Sequence, residues 1–295
     1  MLRIQELHKQ FNNKLVLNNV ELTAKNGQVT ALIGANGAGK STLIGCVCGY
    51  FQPTKGSIDV RSISVMPDAD NIYGDMTGLE FLHVMAKIKK VPNQQWNTLI
   101  TRLGLESQMN KKIKTYSFGM KKKITFIQAC IGDFDTYIFD EPTSGVDVES
   151  ATVMMTIISE ICSKGAAVLL TSHNLEELEQ VSDYVYFLKN GVIESEGTVN
   201  DLLTKQDDQK KQPYVVVPLD MAELTHYLNN HYHDDYSRYD SHIAVYVDDC
   251  VQGSALLKEL VQNDIDIVAF YQRQSNLKET LFGSEVDETL DIKQS

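Results

Sequence analysis

The chain has 295 residues, 43% hydrophobic and 22% charged, the proportions of a globular protein with room for one large domain and a small one. Its formal net charge of −12 argues against nonspecific binding along DNA or RNA, which needs an excess of Lys and Arg to neutralise phosphates. No apolar run approaches the ~18–20 residues of a bilayer span, and Met1–Glu6 lacks the apolar core of a signal peptide.

From the amino terminus, Leu2–Leu7 and Val16–Thr23 have the alternation of short strands, joined by a polar turn over Gln10–Lys14. Phe11 sits on that turn, where two readings are open: an edge-strand or core ring, or a flat platform for a purine base. The apolar run Val29–Ile33 predicts a buried strand. Gly34-Ala35-Asn36-Gly37-Ala38-Gly39-Lys40-Ser41 follows and satisfies Gly-x-x-x-x-Gly-Lys-Ser/Thr, with Thr42–Tyr50 continuing as a helix. Strand, loop and helix are the context that motif requires. Glycines let successive N–H groups wrap a phosphate, and the helix adds the positive end of its dipole. Lys40 is expected to reach the β- and γ-phosphates, and Ser41 to place its hydroxyl on Mg²⁺.

Pro53–Ser57 reads as a turn, followed by strands at Ile58–Val60 and Ile63–Met66 and a turn-rich acidic stretch over 67–74. From Thr77 to Leu105 the pattern is helical, with Leu79, Leu82, Val84 or Met85, and Ile88 at spacings of three and four. A helical insertion within a sheet is the economical reading. Ser117, or Thr115 two residues earlier, caps the next helix, whose inward side carries Phe126, Ile127 and Cys130. Thr136–Phe139 is an apolar strand ending in Asp140-Glu141. Two carboxylates at the end of a buried strand are costly unless they face a ligand or metal. The carboxyl end of an open α/β sheet is where ligands bind. Asp140 is expected to hold Mg²⁺, and Glu141 to polarise the water that attacks the γ-phosphate.

Ala166–Thr171 is a further buried strand, ending in Ser172-His173; the histidine is either structural or a hydrogen-bond partner of the γ-phosphate. Val185–Leu188, Lys189-Asn190-Gly191 and Val192-Ile193 form a hairpin with an Asn-Gly turn. Residues 205–212 read as a charged linker. Beyond it, strands at Tyr214–Val217, Ile243–Val247 and Ile267–Tyr271 alternate with helices at Met221–Leu228 and Ala255–Gln262. That β-α-β-α-β order suggests a small split-βαβ domain over 213–283, ahead of a frayed acidic tail at 284–295. His231-Tyr232-His233-Asp234-Asp235 fits a solvated loop better than a metal site, and Tyr227, Tyr232, Tyr236 and Tyr239 fit local packing. The five cysteines are scattered without a Cys-x-x-Cys pair, as reduced thiols of a cytoplasmic protein would be.

In this order the motifs resemble the nucleotide-binding subunit of ATP-binding-cassette (ABC) transporters, over roughly Leu2 to Leu203. Gly34–Ser41 matches the Walker A loop, and Tyr137–Glu141 matches Walker B with its catalytic glutamate. Ser144-Gly145-Val146-Asp147 is similar to the D-loop, His173 to the switch histidine and Phe11 to the adenine-stacking aromatic. Tyr116-Ser117-Phe118-Gly119-Met120 resembles the family signature Leu-Ser-Gly-Gly-Gln. Ser117 and Gly119 fit it, and Tyr116, Phe118 and Met120 depart in the manner of exporter-type cassettes. Leu277–Phe282 resembles the ending of exporter cassettes with C-terminal extensions. Asp68 stands where the family carries its Q-loop glutamine; a carboxylate can approach Mg²⁺ but cannot donate hydrogen bonds, and a solvated loop acid is the other reading.

The resemblance implies an α/β fold, a P-loop NTPase core of mostly parallel sheet flanked by helices. To this it adds an antiparallel β subdomain, a helical subdomain at about 75–132 within an ATP-binding domain over 1–204, and the small α+β C-terminal domain. It implies ATP and Mg²⁺, with Glu141, His173 and Lys40 catalytic and Ser41, Asp140 and Asp68 at the metal. Nucleotide contacts fall to Phe11, Gly34, Ala35, Asn36, Gly37, Ala38, Gly39, Lys40, Ser41, Thr42, Ser117, Gly119 and Asp147. The expected partners are a second copy, closing over ATP, and a separate membrane permease, with no nucleic acid. The expected location is the inner face of the cell membrane, and the direction of transport leans to export. A soluble cassette acting on ribosomes or in DNA repair is the alternative, disfavoured by the single cassette, the lack of a long coiled-coil insertion and the acidic charge. A small-molecule kinase would lack Ser117-Phe118-Gly119 and His173.

Overall fold

β1 (Leu2–Phe11) and β2 (Lys14–Ala24) form an antiparallel hairpin whose turn is made possible by Asn12 at φ 50°. Both strands run up to the turn, so Phe11 closes β1 opposite Lys14 rather than standing in a loop. Leu2, Ile4 and Leu7 all face inward, because a register shift between Ile4 and Leu7 absorbs one extra residue. The computed structural model describes residues 1–66, 73–91, 96–207, 211–232, 235–273 and 277–282. The chain divides into two units, Met1–Val199 and the residues from Asn200 onward.

In the first unit, β3 (Gln28–Ile33) leads through the glycine loop into α1 (Lys40–Val47). β4 (Lys55–Val60) returns to pair with β1, giving a three-stranded antiparallel sheet in the order β2-β1-β4. β5 (Ile63–Val65) instead joins the second, six-stranded sheet. α2 (Gly78–Lys89) opens with a reciprocal cap: Glu80 N–H donates to Thr77 Oγ1, and Thr77 N–H to the Glu80 carboxylate. The buried stripe of α2 runs through Gly78, Phe81, Leu82 and Ala86. The spacing predicts Ile88 on that stripe, but at 100° per residue it falls at the margin and is 67% exposed. Lys89 takes the inward position instead.

α3 (Asn97–Arg102) is tied to α5 (Val148–Ser163) by a two-pronged Arg102–Glu160 ion pair at 2.7 and 2.8 Å. Between them in the chain lie α4 (Phe118–Cys130) and β6 (Thr136–Asp140). β7 (Ala167–Thr171), α6 (Leu175–Val181), β8 (Tyr184–Lys189) and β9 (Val192–Gly197) complete the unit. The large sheet has the order β5-β6-β7-β3-β8-β9, parallel except for β9. The β8–β9 turn is Asn190-Gly191, both at positive φ, the two-residue geometry that matches strand twist. Leu2, Ile4, Leu17 and Leu22 from the small sheet, Leu43 and Val47 from α1, and Ile138 and Leu169 from the large sheet share one core. Strands buried on both faces, such as β7, read as continuous apolar runs for that reason.

α7 (Val199–Asp207) runs three residues into the stretch expected to be a linker; its Leu, Lys and Gln are good helix formers, so polarity alone did not end the helix. β10 (Gln212–Pro218), α8 (Met221–His231), β11 (Tyr236–Arg238), β12 (Ile243–Val247), α9 (Cys250–Gln262) and β13 (Ile267–Gln272) follow, then α10 (Leu277–Phe282). The antiparallel sheet has the order β11-β12-β10-β13. β11 corrects the expected β-α-β-α-β order, since three residues are too few to show alternation. α9 also begins five residues earlier than expected, because Asp249 caps it by accepting from Gln252 N–H at 2.8 Å. Leu224, Leu228, Leu256 and Leu260 pack on Val216, Ile243 and Val245. Among the described residues no helix is long and apolar enough to cross a membrane, and no cluster of His, Cys, Asp and Glu could hold a metal ion. His233, Asp234 and the tail from 284 lie outside the described residues.

Candidate active site

β6, β7 and β3 are parallel neighbours, so their carboxyl ends deliver Asp140, Thr171 and the glycine loop to one edge of the sheet. A cleft of about 240 Å³ opens there, lined by Val16, Ala35, Asn36, Gly37, Gly39, Lys40, Ser41, Thr42, Asp140, Glu141 and His173. The loop is built for close approach. A Cβ on Gly34 would stand 2.3 Å from the Leu188 carbonyl, and Gly39 at φ 114° would drive one into Leu17 at 2.8 Å. Lys40 is the first residue of α1, and its ammonium folds back to donate to Gly34 O at 2.5 Å and Ala35 O at 3.5 Å. Gly191 of the β8–β9 turn donates its N–H to Ala38 O at 3.0 Å and accepts from Asn18 N–H at 2.8 Å. The loop is thus braced from behind by the closing hairpin.

Asp140 and Thr171 face each other across β6 and β7, and the Thr171 hydroxyl donates to Asp140 Oδ1 at 2.6 Å. That bond leaves the second carboxylate oxygen without a contact from Thr171. Glu141 has φ 50°, an uncommon conformation for a residue with a side chain. Its N–H donates to Thr171 Oγ1 at 3.0 Å. Its Oε2 accepts from the backbone N–H of His173 at 3.0 Å. His173 Nε2 lies 3.2 Å from Oε1 but off the hydrogen-bonding direction, so that buried oxygen keeps no hydrogen bond among the described residues. Burial pushes the Glu141 carboxyl above its ordinary value; His173 pulls it back, and Asp140 adds to the rise. A water aimed at Oε1 would find an unsatisfied acceptor of raised basicity.

These residues fit a nucleotide with Mg²⁺. The loop turns through Gly37 and Gly39 at positive φ, Ser41 and Asp140 line the cleft as hard oxygen donors, and Lys40 supplies positive charge.

The signature residues lie outside this cleft. Ser117 caps α4, its Oγ accepting from Met120 N–H at 3.2 Å. Tyr116 is buried and donates to Gln108 O at 2.8 Å. Gly119 packs on the backbone of Gly145 and Val146: a Cβ there would stand 3.1 Å from Gly145 O. Asp147 caps α5 by accepting from Ser150 N–H, and it pairs with Lys123 of α4 at 3.0 Å. Those bonds, the capping one first, hold its carboxyl well below the usual carboxylate range. Phe11 is not among the residues lining the cleft; its ring meets Phe51 edge-on at 5.1 Å and carries Lys9 Nζ 4.6 Å from its centroid. Asp68 lies outside the described residues.

Val16, Thr171 and Lys122, whose Nζ donates to Glu141 O at 2.9 Å, are contributors that the sequence reading missed. Thr171 had a signal, since it ends an expected buried strand two residues before His173. The other two had none that distinguishes them from their neighbours.

Comparison with known proteins places the chain in a family. The profile of the ABC transporter family matches residues 17–144. The lantibiotic transport ATP-binding protein SrtF of Streptococcus pyogenes is 31% identical over 203 residues, covering 65% of this chain and 89% of the relative. ABC transporter A family member 8 of Dictyostelium discoideum is 32% identical over 226 residues, 68% of this chain; the chain spans only 27% of that relative's length. A solved ATP binding subunit of an ABC transporter superposes with a TM-score of 0.67 at 27% identity, over 70% of this chain and 93% of the other. A relative matched over nearly its whole length, with the family's own profile across the phosphate loop and the paired carboxylates, leaves one assignment: the chain belongs to the ABC transporter family.

Proposed function

We propose that this cassette closes as a dimer on two ATP molecules and drives a separate membrane permease, for export, from the cytoplasmic face of the membrane. The chain itself is the ATP-binding subunit and an ATP hydrolase. The observation that carries the reading is the convergence of Lys40, Asp140, Glu141 and His173 on one cleft at the carboxyl ends of three adjacent parallel strands. Lys40 and the N–H groups of the glycine loop bind the triphosphate, with Phe11 taking the base. Ser41 and Asp140 would hold Mg²⁺, which would neutralise phosphate charge. Glu141 accepts the proton of the attacking water, and His173 orients the terminal phosphate while ADP departs.

Ser117, Gly119 and Asp147 stand apart from the cleft of their own chain, which supports a role at the nucleotide of a second copy. A helix N-terminus with a hydroxyl cap suits a multiply charged phosphate. Export is favoured by the resemblance of Tyr116–Met120 and Leu277–Phe282 to exporter cassettes. Glu141→Gln keeps the shape of the side chain and removes the base. It is expected to stop turnover and accumulate a dimer on ATP and Mg²⁺, read by light scattering; a monomer at saturating ATP would overturn the closed-dimer reading. Co-purification of an integral membrane protein from native membranes tests the permease.

A further inference from the structure

Lys122 is a buried cation to which the hydrolytic scheme gives no task. It is 6% exposed, yet it is the middle of three consecutive lysines on α4, five residues after Ser117. Lys123 meets Asp147. Lys122 turns inward instead, and its Nζ donates to the backbone carbonyl of Glu141 at 2.9 Å. The Phe118 ring lies 5.8 Å from the ammonium, and among the described residues Lys122 makes no ion pair. A buried ammonium without a counter-ion is costly, and a methionine would fill the space without that cost. The charge is spent on one carbonyl.

That carbonyl belongs to a residue held in a left-handed conformation. Glu141 is gripped on its amide side by Thr171, through O at 3.2 Å and Oγ1 at 3.0 Å. On its carbonyl side Lys122 is joined by Ser144 N–H at 3.4 Å. The orientation of these two peptides fixes where the carboxylate points. We propose that Lys122 is a positioning residue, whose bond to the Glu141 carbonyl ties the aim of that carboxylate to the seating of α4, the helix capped by Ser117. The proposal rests on the role given above to Glu141.

The test compares Lys122→Met, which keeps length and loses the donor, with Lys122→Arg, which keeps a charged donor. Lys122→Met is expected to lower kcat ten- to hundredfold, leave the ATP dissociation constant within about threefold and melt within a few degrees of wild type. Lys122→Arg is expected to restore at least a third of the turnover. In nucleotide-free protein, amide exchange is expected to quicken in the methionine variant at Glu141 and Ser144 and to stay unchanged along α4. Should Lys122→Met fail to fold, Lys122→Gln is measured in the same way, its amide too short to reach the carbonyl.

Wild-type turnover in the methionine variant would overturn the proposal. So would a loss of kcat matched by loss of ATP binding, or one that arginine does not restore. Glu141→Gln separates the two ideas: if it abolishes turnover while Lys122→Met does not, only the Lys122 proposal falls. If it leaves turnover intact, the role of Glu141 falls and Lys122 with it.

Discussion

A carboxylate proposed to take a proton from water is helped by a basicity above that of an ordinary glutamate. Glu141 gains that property from burial and from Asp140 beside it, against the opposing pull of His173. Its partner across the cleft, Lys40, is the positive charge nearest the loop carbonyls, and Lys40→Ala is expected to weaken ATP binding at least tenfold, measured by nucleotide titration. Thr171→Val is nearly isosteric and removes the hydroxyl that donates to Asp140 and accepts from Glu141 N–H. It is expected to cost about 1–3 kcal/mol in urea unfolding and to raise the Mg²⁺ concentration needed for half-maximal turnover. At this scale the sequence revealed the residues that follow one another in a motif: the glycine loop, the Asp-Glu pair, the strand-end histidine. Val16 and Lys122 reach the site from other elements, and a run of three lysines carries no mark of which one turns inward.

α4 is the element whose two ends were read with different success. Its amino end was legible because Ser117 precedes a helical pattern, and the Ser117 hydroxyl does cap it. Its carboxyl end is capped from α2: Lys89 Nζ donates to Gln128 O at 2.5 Å, Ile131 O at 3.1 Å and Ser64 Oγ at 2.9 Å, and lies 5.1 Å from the Phe134 ring. A cation suits that end of the helix dipole, but a contact between residues some forty apart leaves no local trace. Burial lowers the Lys89 ammonium from 10.5 to about 8. Below pH 8 both folded and unfolded chains hold the proton, and the folded state bears the full desolvation cost. Between pH 8 and 10.5 the unfolded chain binds more protons, so stability rises with pH by about 3 kcal/mol in all. Lys89→Met cannot show that rise. The wild-type minus variant stability, from urea melts at pH 7 and 10.5, is expected to grow in favour of wild type by that order.

Across the whole molecule, alternation, turn residues and motif flanks indicated the strands of the first unit and the helices after the glycine loop, over 77–105 and after Ser117, but not α5 and α6. The division of the chain was less legible, because α7 continues through polar residues that read as linker, and β11 is too short to announce itself. Nor could periodicity indicate that β4 and β5, two residues apart, belong to different sheets. The Asn190-Gly191 turn has a comparable hidden reach. A tight turn between two closing strands is the usual choice for grafting an epitope or a fluorescent tag. Here the turn's own amide supports Ala38, and Val16 O stands where a Gly191 side chain would go. A tag spliced between Asn190 and Gly191 is expected to leave the far-ultraviolet circular dichroism intact while abolishing retention on an immobilised-ATP resin, so labels on this protein belong elsewhere.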